Sequence, residues 1–172
     1  VSNVQVASNP QLIQSYSLGE YDRHKSLIFS MSKFSFYLML ILAIPVLLYS
    51  GLILKLWLGN NLPDYVVIFT KLVIVGSLIE ALAGPFWMSA NAIGKIQAYQ
   101  ISISLILILN LPISYLLLTY GYSPVVVMVC KVFLSIVTFI YRFIYINAKL
   151  HFGKKNIWMY IKSISFVILY IM

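Results

Sequence analysis

The 172-residue chain has little charge, and little acid above all: four Asp and Glu stand against twelve Lys and Arg, and charged residues make up 9% of the sequence. A water-soluble domain carries about a quarter of its residues charged, so water is not the solvent of this chain. Cysteine is nearly absent. The single Cys130 excludes an internal disulfide and any multi-cysteine metal site. No short basic segment followed by an apolar core and a small-residue cleavage site opens the chain, so no signal peptide is read.

What is present is hydrophobic sequence, 62% of all residues. It is arranged in runs long enough to cross a hydrocarbon core of about 30 Å, which takes roughly 20 helical residues. Spans are expected at about 34–54, 65–93, 99–120 and 125–146, with a truncated fifth at 157–172. Residues 1–33 read as a helix end, a cytoplasmic loop and an entry helix. The expected fold class is therefore all-α integral membrane: a helical bundle of about four full transmembrane helices plus a truncated fifth, with no soluble domain. Pro45 kinks the first span, Gly84-Pro85 interrupts the second, and Asn110 and Pro112 sit in the middle of the third. The chain opens on Val1-Ser2-Asn3 and stops inside the apolar run Phe166–Met172, so it is read as a fragment.

In a soluble protein a net charge of +8 would point to nucleic acid, so the placement of the basic residues decides. Arg23, Lys25, Lys33, Lys95, Lys149, Lys154 and Lys155 lie in alternate connectors, whereas the turns 59–64 and 121–124 hold no Lys or Arg. That is the positive-inside pattern; it puts 1–33, 94–98 and 147–156 in the cytoplasm and needs no nucleic acid. Lys55, at a helix end, snorkels. Trp57, Trp158, Tyr49, Tyr65, Tyr99, Tyr120 and Tyr122 fall near the interfaces and read as an aromatic belt. His24 and His151 stand in basic stretches with no second ligand at metal spacing and read as solvated. Neither a metal nor a cofactor is expected.

Ionisable groups at the centre of a membrane helix cost roughly 2.5–3.5 kcal/mol each, so they normally face a partner or a wet cavity. Glu80, four residues before Gly84-Pro85, either lines a cavity, where it couples protons or sodium ions or pairs a cation, or makes a structural hydrogen bond between helices. Lys71, nine positions earlier, points to the opposite side of a straight helix. Lys131, roughly 10 Å in from the outer helix end, either snorkels or binds anionic phosphate in a cavity. Arg142, one turn from the expected cytoplasmic end, suits a diphosphate held bidentately or a lipid headgroup. Asn110 and Asn91 are substrate contacts or helix–helix hydrogen bonds, Asn110 also a satisfier of its kink.

A succession of short patterns accompanies these residues: Asn9-Pro10-Gln11, Gly19-Glu20-Tyr21, Leu54-Lys55-Leu56-Trp57-Leu58-Gly59, Pro63-Asp64-Tyr65 and the Gly84-Pro85 break. Asn91-Ala92-Ile93-Gly94-Lys95 follows, then Tyr99-Gln100 leading into Asn110-Leu111-Pro112-Ile113-Ser114-Tyr115. In this order and spacing they resemble the polysaccharide-flippase branch (Wzx-like, O-antigen and lipopolysaccharide export) of the multidrug/oligosaccharidyl-lipid/polysaccharide exporter superfamily. The resemblance implies two six-helix lobes around a central cavity. This chain would be most of the second lobe with the start of an extra carboxyl-terminal helix, and its partner the amino-terminal lobe of the same chain. It further implies a multi-pass protein of the bacterial cytoplasmic (inner) membrane, surrounded by membrane lipids. Such a protein flips a lipid-linked oligosaccharide of the undecaprenyl diphosphate type to the outer leaflet by alternating access, for cell-surface polysaccharide or lipopolysaccharide assembly. The family has no short catalytic signature, so no functional residue is carried over from it.

The competing class is a membrane-embedded enzyme of lipid-linked sugar polymerisation or transfer. Such chemistry needs carboxylates, His or Arg on a sizeable loop, whereas both outer turns here are short and Asp64 is their only acid. The chain is therefore read as a transporter, not an enzyme. A drug or peptidoglycan-precursor exporter of the same superfamily would keep the fold and change the cargo. A purely structural subunit would leave Glu80 and Lys131 as unexplained costs.

Overall fold

Seven helices, with no strand among the described residues, make up the computed structural model. It describes residues 2–94 and 96–171, with side chains except at 2–4, 8 and 168–171. They are α1 (Ser2–Ser17), α2 (Tyr21–Leu58), α3 (Val66–Ile93), α4 (Gln97–Ile108), α5 (Asn110–Thr119), α6 (Val125–Leu150) and α7 (Lys154–Ile171). Four segments are long and apolar enough to cross a membrane: α2, α3, α4 with α5, and α6. The chain is an all-α, multi-pass membrane protein. Lys95, expected in the third connector, lies outside the described residues, as does Met172 at the end of the truncated span.

Each departure from the expected spans has a local cause. At 38 residues α2 is about 57 Å long, nearly twice the hydrocarbon thickness, because the entry helix and the span are one element. It kinks at Tyr49 (φ −110°, ψ 21°), one turn after Pro45, which has no N–H to offer the Ile41 carbonyl. Pro112 likewise offers nothing to Ile108, and there the third span divides into α4 and α5. α6 runs on to Leu150 instead of stopping near 146. His151 ends it in a left-handed conformation (φ 52°), and the Phe152 N–H donates to Asn147 Oδ1 at 3.0 Å. The basic connector expected at 147–156 is thereby reduced to 151–153.

α3 packs against α1, α2 and α6; α4 and α5 pack on α6, and α7 on α2. Apolar helices gain little by leaving lipid for one another, so close packing and interhelical hydrogen bonds hold such a bundle. The densest packing is at the basic end, where Phe86 is fully buried among Phe29, Phe139, Phe143, Phe152 and Tyr160, with ring centroids 5.5–6.5 Å away. Aromatic pairs at such spacings are each worth about 0.5–1.5 kcal/mol beyond their buried area. The left-handed turn at His151 is what folds Phe152 into this cluster.

Residues 2–33 follow the expected order of helix end, loop and entry helix, with the loop reduced to three residues. The connection between α1 and α2 is only Leu18–Glu20, and α1 lies along α3 with Gln5 at the level of Ala81. Pro85 cannot donate to the Ala81 carbonyl, and Gln5 Nε2 does so at 3.1 Å. Gly84 leaves the space for this contact, since a Cβ there would collide with the Gln5 amide. The Ser32 hydroxyl of α2 donates to the next carbonyl, Leu82, at 2.8 Å.

His24 is corrected as well: it is 0% exposed, not solvated. Its Nδ1–H donates to the Leu12 carbonyl at 3.0 Å, with Ser15 Oγ 2.9 Å from the same nitrogen. The Ser89 hydroxyl lies 2.8 Å from Nε2 and donates to it in the neutral ring. One imidazole thus joins α1, α2 and α3.

Gln5→Ala, which leaves the Ala81 carbonyl without a donor, is expected to lower the unfolding free energy in detergent by about 1–3 kcal/mol. Gly84→Ala ejects the same amide, so the double variant should cost no more than the worse single one. Additive costs would show that Gly84 does not serve to admit Gln5.

Candidate functional site

Small and polar residues recur at helical spacing on two facing helices. On α3 they are Gly76, Ser77, Glu80 and Gly84; on α6 they are Lys131, Ser135, Thr138 and Arg142. Lys131 and Arg142 are eleven positions apart, which brings them to within about 20° of one face. Across the α3–α6 seam Arg142 Nη1 lies 4.0 Å from Glu80 Oε2, the arginine side chain 13% exposed and the glutamate 57%.

This pair changes the reading of Arg142. Because α6 continues to Leu150, eight helical residues follow Arg142, about 12 Å, so it is not one turn from the helix end. Glu80 lies about 21 Å along an α3 some 42 Å long. The pair lies midway along α3, where each charge offsets part of the other's desolvation.

Two hollows meet at Glu80. The first, about 110 Å³, is lined by Gly76, Ser77, Met128, Lys131 and Ser135 as well as Glu80. The second, a groove of about 590 Å³, runs past Gln5, Gly84, Trp87 and Arg142. Glu80, Lys131 and Arg142 therefore belong to one site, although their positions in the sequence are up to 62 residues apart.

On and beside the seam lie polar atoms with no partner among the described residues. Arg142 Nε, Thr138 Oγ1 and the Tyr99 hydroxyl are buried with no hydrogen bond. Thr138 is one turn before Arg142. Tyr99 of α4 is fully buried, with its ring 6.1 Å from Tyr141 and 4.7 Å from Tyr145 of α6. It is thus no part of the expected aromatic belt, whereas Trp57, Trp158, Tyr49, Tyr65, Tyr120 and Tyr122 are all exposed on the bundle surface. Buried polar atoms are nearly always satisfied, so this concentration marks a place built to bond something further. Sequence reading missed Thr138 and Tyr99. The 131, 135, 138, 142 spacing carried the signal for Thr138; nothing in the sequence signals Tyr99.

The remaining candidates lie elsewhere. Asn110 Oδ1 accepts from the Ser114 hydroxyl at 3.3 Å, within the break between α4 and α5. Asn91 is half-buried in the last turn of α3, about 16 Å along the helix from Glu80, and its carbonyl accepts from the Gly94 N–H at 3.2 Å. Lys71 is exposed and lines neither hollow.

Fold and site together define a multi-pass helical membrane protein with a charged seam between two of its spans. Comparison with protein-family models, curated proteins and solved structures finds no match.

A double-mutant cycle on Glu80→Gln and Arg142→Gln, read from unfolding in detergent, should give a coupling of about 0.2–1 kcal/mol, the range such cycles give for exposed pairs. A coupling of zero would dissolve the pair as a unit of the site.

Proposed function

We propose that the protein translocates a lipid-linked oligosaccharide, of the undecaprenyl diphosphate type, across the bacterial inner membrane by alternating access, as one lobe of a flippase for surface polysaccharide assembly. The observation that carries this reading is the Glu80–Arg142 pair, open to a groove between two spans with Lys131 in the adjoining hollow. A diphosphate cannot pass the centre of a bilayer without counter-charge, and Arg142 and Lys131 supply two cations on one face of α6. The ordered short motifs along the chain support the same family of functions.

The chemistry follows from exchange of partners. In the empty site Glu80 neutralises Arg142. A diphosphate offers the guanidinium paired oxygens for bidentate bonding, a better acceptor than a carboxylate 4.0 Å away. Its arrival releases Glu80 to face the groove, where in this scheme it carries the coupling proton or sodium ion. Loss of that ion on the other side restores the carboxylate, which reclaims Arg142 and expels the diphosphate. Glu80 thus couples, and Arg142 binds. The Arg142 Nε, Thr138 and Tyr99 groups left without protein partners are further bonding capacity for the same cargo.

The test uses cells lacking the gene, complemented with wild type, Glu80→Gln or Arg142→Gln at equal expression. Lipid-linked oligosaccharide should accumulate on deletion, and each variant should leave surface polysaccharide at least about tenfold down, the rate effect of some 1.4 kcal/mol on the translocation barrier. Unchanged polysaccharide and no accumulated intermediate on deletion would overturn the reading.

A further inference from the structure

The seam between α2 and α7 shares no residue with the site above, and it has a polarity of its own. Near the basic end a hollow of about 350 Å³ is lined on α2 by Lys25, Ser26, Ser30 and Lys33, with Asp22 at its rim, and on α7 by Asn156. Phe29, Met159 and Tyr160 complete its wall. Further along, a hollow of about 270 Å³ is lined by Tyr37, Leu40, Ile41, Ile44 and Val167, and it is almost wholly apolar. Positions 26, 30, 33, 37, 40 and 44 of α2 form one stripe at three- and four-residue spacing, so the two hollows follow a single groove line. Two hydrogen bonds pin the helices along it: Ser32 Oγ to Tyr160 OH at 2.6 Å, and Tyr37 OH to Ser163 Oγ at 2.8 Å.

The charges in the first hollow are unequally matched. Lys25 Nζ reaches Asp22 Oδ1 at 3.3 Å, but that carboxylate is fully exposed and holds the lysine weakly. Lys33 is half-buried and has no hydrogen bond or ion pair to any described residue. It is also the last residue before the uncharged run Phe34–Leu54, which puts it at the level of lipid headgroups. A half-buried cation at that level requires an anion. The apolar hollow one to three turns further along α2 is shaped for hydrocarbon.

We propose that the α2–α7 seam binds one anionic phospholipid from the leaflet at the basic end. Its phosphate lies between Lys25 and Lys33, with Ser26, Ser30 and Asn156 as donors, and one acyl chain follows Tyr37 to Ile44. A zwitterionic headgroup would bring its own cation against the two lysines, whereas an anionic one brings the net negative charge that the hollow lacks. The inference does not rest on the proposed function, because the groove residues and the Glu80–Arg142 pair are disjoint.

The experiment is a titration of the purified full-length protein with phosphatidylglycerol, read by native mass spectrometry. Lys33→Gln should weaken binding of the first lipid about fivefold, the worth of one lysine near an anionic surface. Lys33→Arg should retain it, and Ile44→Trp, which fills the apolar hollow without changing charge, should also weaken it. Glu80→Gln should leave it unchanged. Equal first-site affinity for phosphatidylcholine would overturn the proposal, as would a Lys33→Gln variant that binds phosphatidylglycerol like wild type. If undecaprenyl phosphate displaces phosphatidylglycerol at equal concentration and is itself weakened by Lys33→Gln, the groove takes the carrier lipid, and the committed occupant is wrong.

Discussion

One carbonyl oxygen organises this bundle. In hydrocarbon a backbone acceptor without a donor costs several kcal/mol, and Pro85 leaves the Ala81 carbonyl in that position in the middle of α3. The solution in the structure is a side chain from another helix: Gln5 donates to Ala81, and Gly84 is bare of the atom that would block it. That bond draws α1 along α3, and Ser32 draws α2 to the adjacent Leu82 carbonyl. α3 is not interrupted at Gly84-Pro85 as expected but runs on through it, and the proline site is the point at which three helices are fastened.

The same local geometry aims the charged residue. Successive helical positions differ by about 100°, so with the Ala81 carbonyl taken up by α1, Glu80 is turned towards α6 and meets Arg142. Below this level the helices close over Phe86 and its five aromatic neighbours, and the His24 bonds tie α1, α2 and α3. The aromatic cluster is close-packed, whereas the α3–α6 seam beside it is polar and hollow. A molecule tied firmly at one end and loosely at its middle has its compliance where its charges are.

The spans were legible because a run of apolar residues long enough to cross a bilayer has few alternative meanings. α3 falls within a residue of its expected bounds, and both proline sites in α2 and α4–α5 mark real departures from regular helix. What could not be read was which polar residues face one another. Residues 21–33 look solvated by composition, yet His24 is paired with residues 9, 12 and 65 positions away, and Ser32 with residues 50 and 128 away. Arg142 was misplaced for a related reason: Lys149 was read as part of a basic connector, whereas the helix runs through it to Leu150 and is capped at His151. In a bundle with little water, polar residues in the sequence signal partners as often as they signal surface, and the partner is chosen by tertiary packing.

The looseness of the Glu80–Arg142 contact is itself informative. A buried, bidentate arginine–carboxylate bridge loses about 3–5 kcal/mol when one partner is taken away, and would hold its arginine against most competitors. A single 4.0 Å approach to a largely exposed carboxylate is worth about 0–1 kcal/mol. Such a pair keeps the guanidinium neutralised and oriented in the empty molecule, yet gives it up to an anion able to bond two of its nitrogens at once. Under the proposed exchange a tighter bridge would oppose cargo binding, and no bridge at all would leave a bare cation within the bundle. The observed geometry lies between these limits, on the side where exchange is cheap.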